Sequence, residues 1–265
     1  MLRALTWNLF HGRDWPREPA LRSARARLRQ RVPFLDPFAT VLAREDWDVA
    51  LLQEAPPRWL APLCRRIGAH GALALTARNA GAPLRRRLAD RLPQFVGAHE
   101  GGSNQVLVRP PWRIARVERR VLTRRPERRR LLWARIEGPG AVAVGVGCVH
   151  LTVRDDVAAA RELLQAAEHA TALSGPYPVL LGGDLNLSPR RCPGAFAELL
   201  ERFGLDGPTL PDAIDHLLVH RLATLEAPSV LPAARREVPG PTGLALRLSD
   251  HAPVVARFGP ATIGA

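Results

Sequence analysis

The sequence predicts an α/β fold in one domain spanning residues 1–265, and three observations carry that expectation. Short apolar runs recur along the whole chain, alternating with stretches of helical spacing, with no fixed-period repeat and no long linker to divide them. Hydrophobic residues make up 46% of the chain, enough for a sizeable core. Polar residues able to do chemistry stand at the ends of the apolar runs, where sheet folds gather their sites.

Taken in order, Leu2 to Leu9 reads as a buried strand that ends where Phe10-His11-Gly12-Arg13-Asp14 turns polar, so Asn8 lies near a strand end. Pro19 to Arg31 is Arg-rich with Ala and Leu at helical spacing, an amphipathic helix or ordered loop interrupted by Pro33. Asp36-Pro37 opens a helix with proline at its first position, and Asp48 to Glu54 is a second buried strand ending on an acid. Arg58 to Ile67 predicts a helix and Ala72 to Thr76 a short strand. The irregular stretch from Arg78 to Arg91 reads as a surface excursion carrying Arg85-Arg86-Arg87. Ser103 to Val108 and Leu131 to Ile136 read as strands, with Arg124 to Arg130 as an Arg-rich loop between them. Ala141 to Leu151 is a long apolar strand whose carboxyl end carries His150. Asp155 and Asp156 precede helix formers from Val157 to Leu173 and suit the cap and first turn.

The stretch Val179-Leu180-Leu181-Gly182-Gly183-Asp184-Leu185-Asn186-Leu187-Ser188-Pro189 is the centre of the chain. Val179 to Leu181 is a buried strand, and the two glycines allow a turn or a close backbone approach. If the strand continues, Asp184 and Asn186 project to one face. A carboxylate beside an amide suits holding a water or metal while the amide donates to a phosphate oxygen. The same residues are also ordinary turn chemistry. A helix near Ala195 to Phe203, a strand from Ala213 to Val219 and a final strand directly after Asp250-His251 complete the chain.

The net charge of +13 suggests a polyanionic partner. All 38 basic residues are arginine, however, and Ala, Gly and Pro are abundant, a pattern that GC-rich coding also produces, so the charge weighs little alone. Cys64, Cys148 and Cys192 are odd in number and lack a CxxC, which indicates neither a disulfide framework nor a zinc site. The chain has no run of 18 apolar residues and no leader-like start, so the expectation is a soluble cytoplasmic protein with no membrane anchor and no obligate protein partner.

Asn8, Glu54, His150, Asp184 with Asn186, Asp215, and Asp250 with His251 all stand at strand ends. Each alone fits a turn or core residue; together they supply oxygen donors for a hard divalent cation and two imidazoles that can exchange protons. The ordered set Thr6-Trp7-Asn8, Leu52-Gln53-Glu54, Val149-His150-Leu151, Gly183-Asp184-Leu185-Asn186, Ile214-Asp215-His216 and Ser249-Asp250-His251-Ala252-Pro253-Val254 resembles the endonuclease/exonuclease/phosphatase superfamily, also called the deoxyribonuclease-I-like fold. The resemblance implies a four-layer α/β/β/α sandwich with two packed mixed sheets and Mg²⁺-dependent hydrolysis of phosphate esters, with Mn²⁺ as a substitute. It implies Asn8, Glu54 and Asp250 as the metal site, His251 at the scissile phosphate with Asp215 orienting it, and Asp184 positioning or deprotonating the attacking water. Asn186 and His150 would face the phosphate, and His216 is given no role.

The expected substrate is nucleic acid, cut with low sequence specificity, with Arg85 to Arg87 and Arg124 to Arg130 as candidate backbone contacts. His150-Leu151-Thr152 stands where the abasic-site branch carries a tyrosine and a Pro-Asn segment, which turns the reading away from dedicated abasic-site repair. The alternative is a phosphatase or phospholipase C-like enzyme acting on a small phosphate ester or lipid headgroup. A scaffold that has lost catalysis is disfavoured, because every matched position holds a competent residue.

Overall fold

The computed structural model describes residues 1–16, 34–76, 101–240 and 245–261. The expected helix or loop from Pro19 to Arg31 and the Arg78 to Arg91 excursion with Arg85-Arg86-Arg87 lie outside these residues.

Two sheets pack face to face. The first contains β1 (Leu2–Asn8), β2 (Val49–Ala55), β3 (His70–Leu75), β4 (Ser103–Val108), β10 (Leu222–Val230) and β13 (Val254–Pro260), in the order β10-β13-β1-β2-β4-β3. The second contains β5 (Arg113–Thr123), β6 (Arg129–Glu137), β7 (Ala143–His150), β8 (Val179–Asp184) and β9 (Asp215–His220), in sequence order. A small pair, β11 (Glu237–Pro239) and β12 (Ala245–Arg247), stands apart. Each large sheet mixes directions: β1 runs parallel to β2 and β7 parallel to β8, whereas the other pairs are antiparallel. The parallel pairs are joined through the helices α1 (Leu35–Arg44) and α3 (Asp156–Ser174), as a parallel connection requires.

Side-chain alternation sorts each strand between two cores. Leu2, Ala4, Val49, Leu51, Val144, Val146, Leu180, Leu217, Val254 and Ala256 fill the space between the sheets. Their neighbours Leu5, Trp7, Ala50 and Leu52 face outward against α1 and α2 (Leu60–Ile67). On the other side Leu131, Trp133, Val149 and Leu181 meet α3. Helix α4 (Pro193–Phe203) buries Leu199 in that same layer. Four layers result, in the order helix, sheet, sheet, helix, as expected from the sequence.

The helices begin and end for local reasons. Asp155 is the cap of α3, its Oδ1 accepting from Ala158 N at 3.0 Å, and Asp156 lies in the first turn. Helix α1 starts at Leu35, so Asp36 sits in the first turn rather than capping, and pairs with Arg66. Helices α2 and α4 close on Gly68 and Gly204, both left-handed.

Several strands differ from the sequence expectation, the short pair β11 and β12 among them, which the sequence reading does not contain. The segment expected as a loop, Arg124 to Arg130, is shorter: β6 already begins at Arg129. Strand β5 has no counterpart in the sequence reading because its outer positions are charged; Arg116 and Arg120 both pair with Glu118. Strand β10 was likewise unannounced, as an edge strand with mostly exposed residues.

Candidate active site

The inter-sheet face turns polar at one end of the sandwich. Along β1 it runs Leu2, Ala4, Thr6, Asn8; along β7 it runs Val144, Val146, Cys148, His150; along β8 it runs Leu180, Gly182, Asp184. In the second sheet His150 is paired across from Asp184, and Asp184 across from Asp215. Three chemically competent side chains therefore stand in a row on adjacent strands, separated by about one strand spacing of 4.8 Å.

Gly183 lets this row form. Its φ is +136°, and a Cβ there would overlap the carbonyl oxygen of Val149 on β7. The strand then ends at Asp184, so the expectation that Asn186 shares its strand face is corrected. Asn186 has φ +52° and its backbone N–H donates to Asp184 Oδ1 at 3.0 Å, a side-chain-closed turn. The turn and the site are one object. Asn186 Nδ2 donates to Leu151 O at 3.1 Å, and Asn8 Nδ2 donates to Asp184 Oδ2 at 2.9 Å, so Asp184 is held from both sides.

Glu54 reaches the cleft by a break in regularity. By alternation it would face the helices, but its φ is +49° and the β2–β4 register shifts between Leu52 and Ala55. Its carboxylate lies 3.0 Å from His11 Nε2 and 3.7 Å from His150 Nε2. Arg129 approaches from β6, with Nη1 3.3 Å from His150 Nδ1. Sequence reasoning gave His11 no role, although it follows Asn8 in the polar turn, and named Arg129 only within the run Arg124 to Arg130, without its place beside His150.

His251 comes from the loop before β13. Its Nδ1 bonds Asp215 Oδ2 at 2.7 Å, and its Nε2 lies 3.8 Å from Asp184 Oδ2. Ser249, at φ +59°, donates from Oγ to Asn8 O at 2.6 Å and accepts from His251 N at 3.0 Å. Buried Arg236 donates through Nη1 to the carbonyls of Leu248, Ser249 and His251. Asp250 is exposed at the rim, where it lines a pocket of about 320 Å³ with Asp215 and His251. A second cleft of about 490 Å³ opens on the other side, walled by Glu54, Arg129, His150 and Arg154.

Charge is distributed unevenly. Burial opposes a charge on His251, but the carboxylates of Asp215, Asp184 and Asp250 outweigh it and hold its pKa up at about 10. Burial and the Asp215 charge push Asp184 up, against the pull of His251 and the bonds from Asn8 and Asn186. Glu54 is raised by burial and by the charge of Asp250. His150 is lowered well below the usual imidazole range by burial, Arg129, His251 and His11.

The donor chemistry fits a hard divalent cation. Glu54 is a partly buried carboxylate repelled by Asp250, with the Asn8 amide adjoining, and these are oxygen donors of the kind a hard cation takes. Among the described residues, Asp184, Asp215 and His251 also bring one ligand atom each within 4.8 Å of one another. In that trio the carboxylates hold the pKa of His251 up, so its imidazole competes with a metal ion for the cationic place, whereas Glu54 and Asn8 offer oxygen donors. Asp215 Oδ1 is buried with no hydrogen-bond partner among the described residues.

His216, assigned no role, is a core residue: Nδ1 accepts from Thr209 N at 3.0 Å and Nε2 donates to Leu187 O at 3.1 Å. Cys64 and Cys148 are buried and Cys192 is partly buried, all as free thiols. No described helix is long and apolar enough to cross a membrane.

No curated protein matches the chain significantly in sequence. Among solved structures it is similar to a mannosyl-6-phosphatase from Bacteroides thetaiotaomicron, with TM-score 0.67 and 15% identity over 97% of this chain and 99% of that one. The human Nocturnin catalytic domain with bound sulfate gives TM-score 0.66 and 15% identity over 98% of this chain and 94% of the other. An endonuclease/exonuclease/phosphatase from Beutenbergia cavernae gives TM-score 0.65 and 21% identity over 99% of this chain and 73% of the other. These likenesses establish the fold. The model of the endonuclease/exonuclease/phosphatase family matches residues 5–251, so the chain belongs to that family of phosphoester hydrolases, which generally use a divalent metal.

Proposed function

We propose that the chain is a divalent-metal-dependent phosphodiester hydrolase, a nuclease that cuts DNA or RNA with low sequence specificity. The observation that carries the hydrolase reading is the line Asp215–His251–Asp184, in which a short hydrogen bond of 2.7 Å fixes one imidazole between two carboxylates. The nucleic-acid reading is supported by the guanidiniums beside the cleft: Arg128, Arg119 and Arg124 lie near enough to Arg130 to depress its pKa after burial, and Arg129 lines the cleft itself.

Glu54, with Asn8 and Asp250, would hold Mg²⁺, or Mn²⁺ in its place. When bound, the cation supplies positive charge for the phosphoryl oxygens. Asp184, raised by burial, accepts the proton of the attacking water. His251, a cation held by Asp215, offsets the negative charge that builds on phosphorus-bound oxygen. Asn186 keeps one amide hydrogen beyond its bond to Leu151, and His150 keeps Nε2 beyond hydrogen-bond length of Glu54 and Asp184, so each has a polar group to offer a phosphate.

The second reading, hydrolysis of a small phosphate ester, is favoured by the size of the clefts. Spaces of about 490 and about 320 Å³ suit a mononucleotide or a sugar phosphate, and the mannosyl-6-phosphatase shares this fold. The test is hydrolysis of supercoiled plasmid, single-stranded DNA, RNA, bis(p-nitrophenyl) phosphate and p-nitrophenyl phosphate with Mg²⁺ or Mn²⁺, with the His251→Ala protein as blank. Cleavage of nucleic acid by wild type only supports the nuclease; turnover confined to p-nitrophenyl phosphate overturns it in favour of the monoesterase.

A further inference from the structure

His150 ends β7 with charged groups at both ring nitrogens. Nδ1 lies 3.3 Å from Nη1 of Arg129, while Nε2 lies 3.6 Å from Asp184 Oδ2 and 3.7 Å from Glu54 Oε1. Arg129 is the first residue of β6, its side chain only 6% exposed, and its Nη2 is anchored on Glu127 Oε2 at 3.1 Å. The contact is therefore built into the sheet rather than made by a mobile surface arginine.

A guanidinium carries donors only and keeps its charge at any pH the fold survives. A hydrogen bond from Arg129 to Nδ1 therefore requires a lone pair on Nδ1. The single proton of the neutral ring must then be on Nε2. A proton on Nδ1 would instead set two N–H groups against each other beside a fixed positive charge.

The orientation of the other edge matters for chemistry. Both carboxylates lie beyond hydrogen-bond length from Nε2, so its N–H is spent on neither and points to the gap between Glu54 and Asp184. A phosphoryl oxygen entering that gap meets a donor already in place.

We infer that Arg129 locks His150 as its neutral Nε2–H tautomer, making His150 a fixed hydrogen-bond donor to a non-bridging phosphoryl oxygen that takes no part in proton transfer. The donor role rests on the phosphoester-hydrolase reading above; the lock does not. Arg129 is thus a positioning residue. The two histidines are set apart by their partners: Nδ1 of His251 faces a carboxylate, whereas Nδ1 of His150 faces a guanidinium.

The test is the imidazole nitrogen spectrum of ¹⁵N-labelled protein, in which long-range ¹H–¹⁵N correlations distinguish the two tautomers from the imidazolium, with His150 assigned by its loss in His150→Gln. Wild type should show His150 with a bare Nδ1 and a protonated Nε2 from about pH 5 to about pH 8. Arg129→Met should mix the tautomers and lower kcat about 10- to 100-fold with little change in KM. Arg129→Lys, which keeps a donor, should retain the tautomer and part of the rate. A protonated Nδ1 in wild type, or an unchanged tautomer in Arg129→Met, would overturn the lock. The wild-type spectrum decides the matter alone should Arg129→Met not fold. A wild type with the expected tautomer that hydrolyses no phosphate ester would overturn the hydrolase reading and the donor role while the lock stands.

Discussion

At the scale of single residues, the site divides into groups that sequence pattern exposes and groups that only packing reveals. If Asp184 is the base, Asp184→Asn should lower kcat about 10²- to 10⁴-fold with the fold intact by circular dichroism. The pH profile should have two limbs of defined sign. Asp184, pushed up to about 7 by burial and by Asp215, must be ionised to take a proton, so kcat/KM falls as pH drops through that region, and a bound cation moves this limb lower. His251, held at about 10 by its carboxylates, must stay charged, so activity falls again as pH rises through about 10, a limb that His251→Gln should abolish. Glu54→Gln should weaken Mn²⁺ binding in calorimetry whether or not a substrate is known, because it removes the partly buried carboxylate that repels Asp250. Asn8, Glu54 and Asp184 were legible because they close apolar runs, and Asp215 and His251 because they directly precede or open one. Arg129 was not, since one arginine among those from Arg124 to Arg130 carries no mark of burial until β6 places it beside His150.

At the scale of elements, two devices hold the site. Gly183 permits β8 to lie against β7 with His150 opposite Asp184, and Gly183→Ala meets both a positive φ and the Val149 carbonyl. It should cost on the order of 1–3 kcal/mol in denaturant unfolding and reduce activity further than the lost stability explains. Arg236 holds the loop that carries His251 by donating to three of its carbonyls. Arg236→Met should cost about 1.5–3 kcal/mol, and added guanidinium ion at low concentration should restore part of the rate. The apolar strands β1, β2, β7 and β8 were readable from their continuous hydrophobic runs, because both faces are buried. Strand β5 escaped because its exposed face carries Arg116, Glu118 and Arg120, which look like a charged loop in sequence. The glycines at 182 and 183 read as a turn or a close backbone approach, and within the sheet they serve close strand approach.

At the scale of the whole molecule, the sequence motifs named the four-layer plan because they sample both sheets from residue 6 to residue 254, and the structure brings those ends to one edge. What the motifs could not convey is which substrate the edge admits. The charge of +13 distinguishes the two readings experimentally. A backbone-tracking nuclease should lose single-stranded DNA affinity steeply between low and moderate salt in fluorescence anisotropy, whereas KM for a small ester should respond weakly. One feature of the architecture also fixes how the protein fails. Asp215, Asp184 and His150 keep their separation because backbone ladders set it, as marks on a ruler keep theirs, and no loop movement can respace them. On heating, then, inactivation that precedes the loss of sheet signal in circular dichroism should trace to the loop that carries His251, and Arg236→Met should widen that gap. Variation in what the enzyme accepts has to come from the walls around that ruler.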